Sequence, residues 1–129
     1  MKKILFAASE AVPFMKTGGL ADVTGSLPKY FDKKNYDVRV ILPKYVCMEE
    51  RWKGQLHFLC HFYVNLSWRK QYVGIFETTY DGITYYLVDN EFYFAGNAPY
   101  NNIYEDVEKF AFFSKAVLEA LPYLDFCPD

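Results

Sequence analysis

Apolar positions along the chain follow two rhythms, and their alternation sets the expected order of elements. Ile4-Leu5-Phe6-Ala7-Ala8 and Val38-Arg39-Val40-Ile41-Leu42 are short, nearly continuous runs that suit strands buried on both faces. Between them Leu20, Val23, Leu27, Tyr30 and Phe31 recur at helical spacing and predict one inward apolar stripe, interrupted where Pro28 falls. Strand, helix, strand is a βαβ unit with a right-handed crossover. From Gln55 to Leu66 the rhythm changes to strict alternation, with Leu56, Phe58, Cys60, Phe62, Val64 and Leu66 on one face. Tyr72 to Tyr80 and Ile83 to Val88 flank Asp81-Gly82, a strong hairpin signal. A loop rich in Gly, Asn, Pro and Tyr spans Phe92 to Ile103. A helix from about Tyr104 to Leu121 follows, with Val107, Phe110, Ala111, Ser114, Val117, Leu118 and Leu121 predicted inward and Pro122 ending it. Glu105, Asp106 and Glu108 suit the positive end of its dipole. The expected fold is α/β: a Rossmann-like sheet with a parallel core and an antiparallel hairpin addition.

The stretch Lys16-Thr17-Gly18-Gly19-Leu20-Ala21-Asp22-Val23 stands at the carboxyl end of the first strand, where open α/β sheets bind ligands. Adjacent glycines permit a sharp turn and close approach of the backbone to a ligand. A helix starting at the second glycine would aim its free N–H groups and positive dipole end at the same place, with the Lys16 charge beside it. That combination suits a diphosphate or another anion. On spacing alone it reads equally as a plain strand-to-helix turn, for it is neither Gly-x-Gly-x-x-Gly nor a P-loop. No acidic residue ends the second strand where a dinucleotide ribose would require one.

These residues carry a resemblance. The glycine stretch, preceded by Ser9-Glu10 and Pro13-Phe14, is similar to the N-terminal signature of bacterial glycogen synthases and plant starch synthases. The likeness continues in Leu27-Pro28-Lys29, Asp37-Val38-Arg39-Val40 and Pro43-Lys44-Tyr45. It resumes in Glu91-Phe92-Tyr93-Phe94 and from Tyr104 through Ala116. Between about Cys47 and Val88 only the strand pattern agrees. One departure is Ala95-Gly96-Asn97, where relatives often place an arginine soon after the Tyr-Phe pair.

The resemblance implies a glycosyltransferase of the two-domain GT-B type, family 5. This chain (residues 1–129) would be the N-terminal portion of its catalytic domain. The family moves glucose from ADP-glucose to the non-reducing end of an α-1,4-glucan with retention of configuration, and ADP-glucose is a substrate, so no cofactor is implied. The partners implied are ADP-glucose, the glucan and the C-terminal domain of the same polypeptide, which carries most nucleotide contacts. Alone, the segment would be inactive. Lys16 would bring positive charge to the donor, the Gly18 and Gly19 amides would bind phosphate or sugar oxygens, and Asp22 would accept hydrogen bonds from sugar hydroxyls. Glu10 is a further sugar-contact candidate. No residue here reads as a catalytic general base. The competing reading is a non-catalytic anion-, nucleotide- or glucan-binding α/β module.

Composition narrows the classes. With 52% hydrophobic and 23% charged residues, the 129-residue chain can bury a core. A net charge of −2 without a basic block disfavours nucleic acid as a partner. No apolar run approaches membrane-spanning length, and the run after Met1-Lys2-Lys3 is too short for a signal sequence, so no membrane is expected. Cys47, Cys60 and Cys127 are odd in number and irregularly spaced, which argues against a disulfide framework and for a cytoplasmic setting. His57 and His61 share a strand face while Cys60 points to the other, and no fourth ligand is evident, so no metal is expected. Glu49-Glu50 reads as a solvated pair rather than a glycosidase dyad. Aromatic residues reach 20% and crowd the loop before the last helix; most should fill the core. Tyr100 and Tyr104 lie in a polar stretch and are the better candidates for stacking on a sugar.

Overall fold

The computed structural model describes residues 1–129. Five strands form one mixed sheet in the order β1-β2-β5-β4-β3. They are β1 (Lys2–Ala7), β2 (Tyr36–Pro43), β3 (His57–Leu66), β4 (Arg69–Tyr80) and β5 (Ile83–Asp89). The helices are α1 (Gly19–Ser26), the single turn α2 (Glu50–Lys53) and α3 (Ile103–Ala120). β1 runs parallel to β2, pairing Ile4 with Val38, and β2 runs parallel to β5, pairing Leu42 with Leu87. β4 and β3 then extend the sheet in antiparallel fashion. The parallel core with a hairpin addition is thus present.

The reversal at Asp81-Gly82 has φ of 53° and 80° at its two residues, the pair of left-handed conformations that a type I′ hairpin turn requires. The β3–β4 reversal at Ser67-Trp68, with Ser67 at φ 59°, carried no such sequence signal. Pro28 acts as expected: α1 ends at Ser26 and a 3₁₀ turn, Leu27–Tyr30, takes over.

Both sheet faces are covered. The larger core joins Ile41, Tyr86, Val88, Val73 and Ile75 of the sheet to Phe112, Phe113, Ala116 and Ala120 of α3, with Tyr45 and Phe94 between. The smaller core, on the opposite face, gathers Val40, Leu42, Tyr85 and Leu87 around Ala11, Phe14 and Met48. Phe14 meets Tyr85 edge-on with ring centroids 4.8 Å apart.

Several expectations about faces fail. β1 lies at a sheet edge and is covered only partly: Leu5 packs against the larger core and Phe6 against the smaller one, so both faces are met as its apolar run predicts, but Lys3 to Phe6 stay half-buried. On α1 the buried residues are Ala21, Thr24 and Gly25, while Leu20, Val23 and Leu27 of the anticipated inward stripe are exposed. The cause is close packing: α1 sits so near the Ala11-Val12 segment that only small side chains fit, and the Val12 amide donates to the Ala21 carbonyl at 3.1 Å. A Cβ on Gly25 would stand 2.3 Å from Val12 Cγ2 and 2.7 Å from the Val12 carbonyl oxygen. α3 is likewise rotated from its predicted orientation. Lys109, Phe112, Phe113, Ala116, Val117 and Ala120 are buried, whereas Val107, Ala111, Ser114 and Leu118 face outward. Finally, a bulge at Leu59 shifts the β3 register between Phe58 and Cys60. Phe58 therefore packs on Phe76 of the smaller core instead of joining Phe62 and Val64 in the larger one.

Candidate functional site

Beyond the end of β1 the chain loops through Ser9 to Gly18 before α1 begins, and a short antiparallel bridge between Ala11 and Met15 folds that loop back on itself. Gly18 caps the helix with no side-chain hydrogen bond, in an extended backbone conformation that any residue can adopt. Neither Gly18 nor Gly19 is therefore needed for an unusual turn. A Cβ at either position would meet nothing within 4 Å, so what the glycines supply is an open face over the helix start. The Gly19 and Leu20 amides belong to the first turn and have no intrahelical acceptor.

The Gly18 amide has a different fate from the one expected of it. Glu10 is almost fully buried, at 2% exposure, and its carboxylate turns under the loop. It accepts from the Thr17 amide at 3.1 Å, the Thr17 hydroxyl at 2.5 Å and the Gly18 amide at 3.2 Å. Glu10 is thus the brace of the loop, with its oxygens directed inward, and the Gly18 N–H is already engaged. On the outside, Lys16 Nζ lies 2.9 Å from Asp22 Oδ2 and 3.0 Å from Oδ1, with both side chains about half exposed. Asp22 stands in the first turn, where its charge also complements the helix dipole.

Tyr100 reaches this place from a loop 91 residues away in sequence: its hydroxyl shares a 2.6 Å hydrogen bond with Ser9 Oγ. Burial pushes its phenol up from the usual tyrosine range, with the Glu10 charge adding to the rise and the Ser9 hydrogen bond opposing it. Tyr45 completes the support by donating to the Ser9 carbonyl at 2.6 Å; burial raises its phenol strongly too. Lys16, Gly18, Gly19, Asp22 and Tyr100 therefore converge on one surface, with Glu10 buried beneath it. Tyr104 does not join them. It is 88% exposed at the start of α3 and lines a neighbouring cavity with Tyr93 and Arg69.

Three positioning residues escaped the sequence reading. Ser9 and Tyr45 stood in recognised blocks without a role. Lys109 is 3% exposed, and its amine donates to the Pro99 carbonyl at 2.8 Å and to Asn101 Oδ1 at 2.7 Å, with Asp106 Oδ1 at 3.4 Å. It holds from below the loop that presents Tyr100. Its signal was present as a lysine at the core spacing of Phe112, Phe113 and Ala116. His57 and His61 lie on β3, where His61 stacks on Tyr72 at 5.9 Å between ring centroids. Glu49 pairs with Arg51 at 2.8 Å on the exposed surface.

The family profile described as the starch synthase catalytic domain matches residues 3–129. The chain belongs to this family. Among curated relatives, the glycogen synthase of Lachnoclostridium phytofermentans is 67% identical over all 129 residues, and that of Lachnospira eligens is 62% identical. In both cases the match takes in 27% of the relative, so the chain spans about a quarter of the length of the proteins it resembles. Among solved structures, the catalytic domain of Starch Synthase IV from Arabidopsis thaliana bound to ADP and acarbose superposes with a TM-score of 0.75 at 26% identity. That match covers 99% of this chain and 26% of the plant chain. The GT-B assignment of the fold stands on that likeness. No helix here is long and apolar enough to cross a membrane.

Proposed function

We propose that this chain forms one wall of the donor cleft of a retaining glucosyltransferase, which carries glucose from ADP-glucose to the non-reducing end of an α-1,4-glucan. The observation that carries this reading is the convergence of Lys16, Asp22, Tyr100 and the open start of α1, in a chain 67% identical to a glycogen synthase. Such a reaction must stabilise charge building on the departing diphosphate while an acceptor hydroxyl is held near the anomeric carbon. Lys16, half exposed and bound only to Asp22, is free to swing its ammonium to a diphosphate oxygen. The Gly19 and Leu20 amides face the same anion with the positive end of α1 behind them. Asp22, released from Lys16, would accept hydrogen bonds from glucosyl hydroxyls, and Tyr100 would offer its ring edge and phenol to a sugar. Glu10 holds the loop in shape without touching substrate. The remaining contacts to the nucleotide come from the rest of the polypeptide, no resident cofactor takes part, and the reaction proceeds in the cytoplasm.

Lys16→Gln in the full-length protein tests this. The substitution removes the charge and keeps most of the length. ADP-glucose-dependent glucan elongation is expected to fall by about 10² to 10³, as when one preorganised donor to a developing charge is lost, with the melting temperature unchanged. Unaltered donor kinetics would remove Lys16 from the site.

A further inference from the structure

The two edges of the sheet are managed differently. At the β1 edge, Lys2 and Lys3 put charge on the strand, and the chain itself returns there. The Asp129 amide donates to the Lys3 carbonyl at 2.8 Å, and the Lys3 amide donates to Asp129 Oδ2 at 2.7 Å. β3 forms the opposite edge, and no strand pairs with its outer side. Exposed edges are usually blunted by charge, proline or a bulge. β3 has the bulge at Leu59, but His57 to Leu66 hold no Asp, Glu, Lys, Arg or Pro.

Hairpin geometry says which backbone groups of this edge are free. Leu66 and Arg69 close the two-residue reversal at Ser67-Trp68, so they form a hydrogen-bonded pair. The pairs of Val64 with Gln71 and Phe62 with Val73 are then hydrogen-bonded too, at every second position. The N–H and C=O groups of His61, Tyr63 and Asn65 therefore point away from β4, toward the open edge. The Asn65 carbonyl accepts from Lys115 Nζ of α3, as an outward group can, and keeps a second lone pair.

Between the bulge at Leu59 and the reversal at Ser67 lie the residues Cys60 to Leu66, whose character reads the same in both directions. Tyr63 stands at the centre, flanked by apolar Phe62 and Val64, then by polar His61 and Asn65, then by Cys60 and Leu66. Suppose this strand ran antiparallel to its own copy about Tyr63. On the α3 face Phe62 would meet Val64, and Cys60 would meet Leu66. On the open face His61 would meet Asn65, and Tyr63 would meet Tyr63. Like meets like at each position, and the free backbone groups fall opposite one another: Tyr63 exchanges both bonds with its own copy, and His61 with Asn65. A slip of one residue would set the α3 face of one copy against the open face of the other. Tyr63 is 55% exposed on that open face, so nothing in the chain fills its place at the axis.

We propose that β3 is the contact between two copies of this protein, joined antiparallel about a two-fold axis at Tyr63 so that their sheets become one. A second copy is the occupant because a two-fold contact must be complementary to itself, which the reversible pattern of Cys60 to Leu66 provides. Any continuation of the chain beyond Asp129 departs from the opposite edge of the sheet. None of Ser9, Glu10, Lys16 to Asp22 or Tyr100 lies on β3, so the contact is distinct from the glycine site.

The test uses the full-length protein and its Tyr63→Lys and Tyr63→Asp variants, with sedimentation velocity over a concentration series. So short a strand pairing buries less than a standard interface of about 1,200–2,000 Å², so the parent is expected to dimerise with a Kd of about 1–100 µM. Each variant sets like charges opposite each other and loses the Tyr63 pair, so its dimer should be weaker by about tenfold. An equimolar mixture of the two variants sets Lys against Asp and should recover dimerisation at low salt, which a merely structural role of Tyr63 would not produce. Deuterium uptake by residues 57–66 should fall as the parent concentration rises. A parent that stays monomeric at about 100 µM overturns the proposal, and slow uptake in that monomer would show that its own chain covers the edge. A dimer as tight in both variants as in the parent places the contact elsewhere and also overturns it. A mixture no tighter than the separate variants refutes the two-fold axis at Tyr63. Should the variants melt far below the parent, uptake in the parent decides alone, and uptake independent of concentration overturns the proposal.

Discussion

Replacing Gly25 by alanine probes the contact that seats α1, and with it the glycine loop. On a helix interior alanine is preferred over glycine by about 0.8–1 kcal/mol, so propensity alone predicts a more stable protein. The structure predicts the reverse. The new methyl would stand 2.3 Å from Val12 Cγ2, which can rotate, but also 2.7 Å from the Val12 carbonyl oxygen and 3.2 Å from its nitrogen, which cannot. Relief requires α1 to lift from the Ala11-Val12 segment, stretching the hydrogen bond from the Val12 amide to the Ala21 carbonyl. Overpacking of this kind costs about 1–3 kcal/mol, and an obstacle made of backbone belongs at the upper end. After the propensity gain, the net loss should be about 1–2 kcal/mol, or roughly 4–8 °C in melting temperature for a domain of this size. Urea unfolding followed by circular dichroism measures it, with an unchanged m-value showing that native stability moved. Gly18→Ala is the control: its Cβ enters open space on extended backbone, and stability should stay within about 0.5 kcal/mol of the parent. A Gly25→Ala protein as stable as the parent, or more so, would refute the close seating of α1 and the explanation of its reversed face.

Other consequences can be measured separately. Glu10→Gln puts an amide NH₂ opposite an N–H donor at the brace of the loop, for a cost of about 1–3 kcal/mol; hydrogen exchange at the Thr17 and Gly18 amides should accelerate, and unchanged protection would contradict the bracing role. Lys109→Met leaves the Pro99 carbonyl and the Asn101 and Asp106 oxygens without their cation, costing about 3 kcal/mol. The 95–101 loop should then become the first site of limited proteolysis, which an unaltered cleavage pattern would exclude. Asp89 is half-buried, and desolvation raises its carboxyl above the ordinary 3.8 although Lys44, 3.8 Å away, opposes the rise. The native state therefore binds this proton more readily than the unfolded chain. The Asp89 contribution to stability is thus largest below pH 3.8 and declines as pH rises through the folded value. Asp89→Asn should flatten that acid-side slope of the stability curve, and an identical slope would show that the carboxyl is not perturbed.

Strand positions were legible because Ile4 to Ala8 is a continuous apolar run and Val38 to Leu42 one broken only by Arg39, and Asp81-Gly82 names its own turn. Helix faces were not, because periodicity reports that an apolar stripe exists without saying what covers it. On α1 the stripe of Leu20, Val23 and Leu27 is the more conspicuous pattern, yet Ala21 and Gly25 face inward since a backbone segment, not side chains, is the packing partner. The Leu59 bulge likewise leaves no periodic trace, and one extra residue is enough to send Phe58 to the other side of the sheet. Within the site, Lys16 and Asp22 were readable because a few residues of helix start hold them together. The junction of Ser9 with Tyr100 depends on how a loop 91 residues away folds over the strand ends, which no local pattern encodes. The motif makes Glu10 a candidate, but a sequence does not tell an inward carboxylate from an outward one.

That inward carboxylate gives the glycine loop a resident anion. A diphosphate bound above it, as proposed, would find the Thr17 and Gly18 amides already satisfied and a like charge beneath the loop, so its grip would depend on Lys16 and the Gly19 and Leu20 amides alone. The loop keeps its shape with or without a visitor, and the attraction it exerts has a built-in ceiling. On the donor-cleft reading proposed above, in which a spent nucleotide leaves after each transfer, a cradle that holds loosely would favour that departure. On that reading Glu10 would set residence time, making the site ready to bind and equally ready to let go.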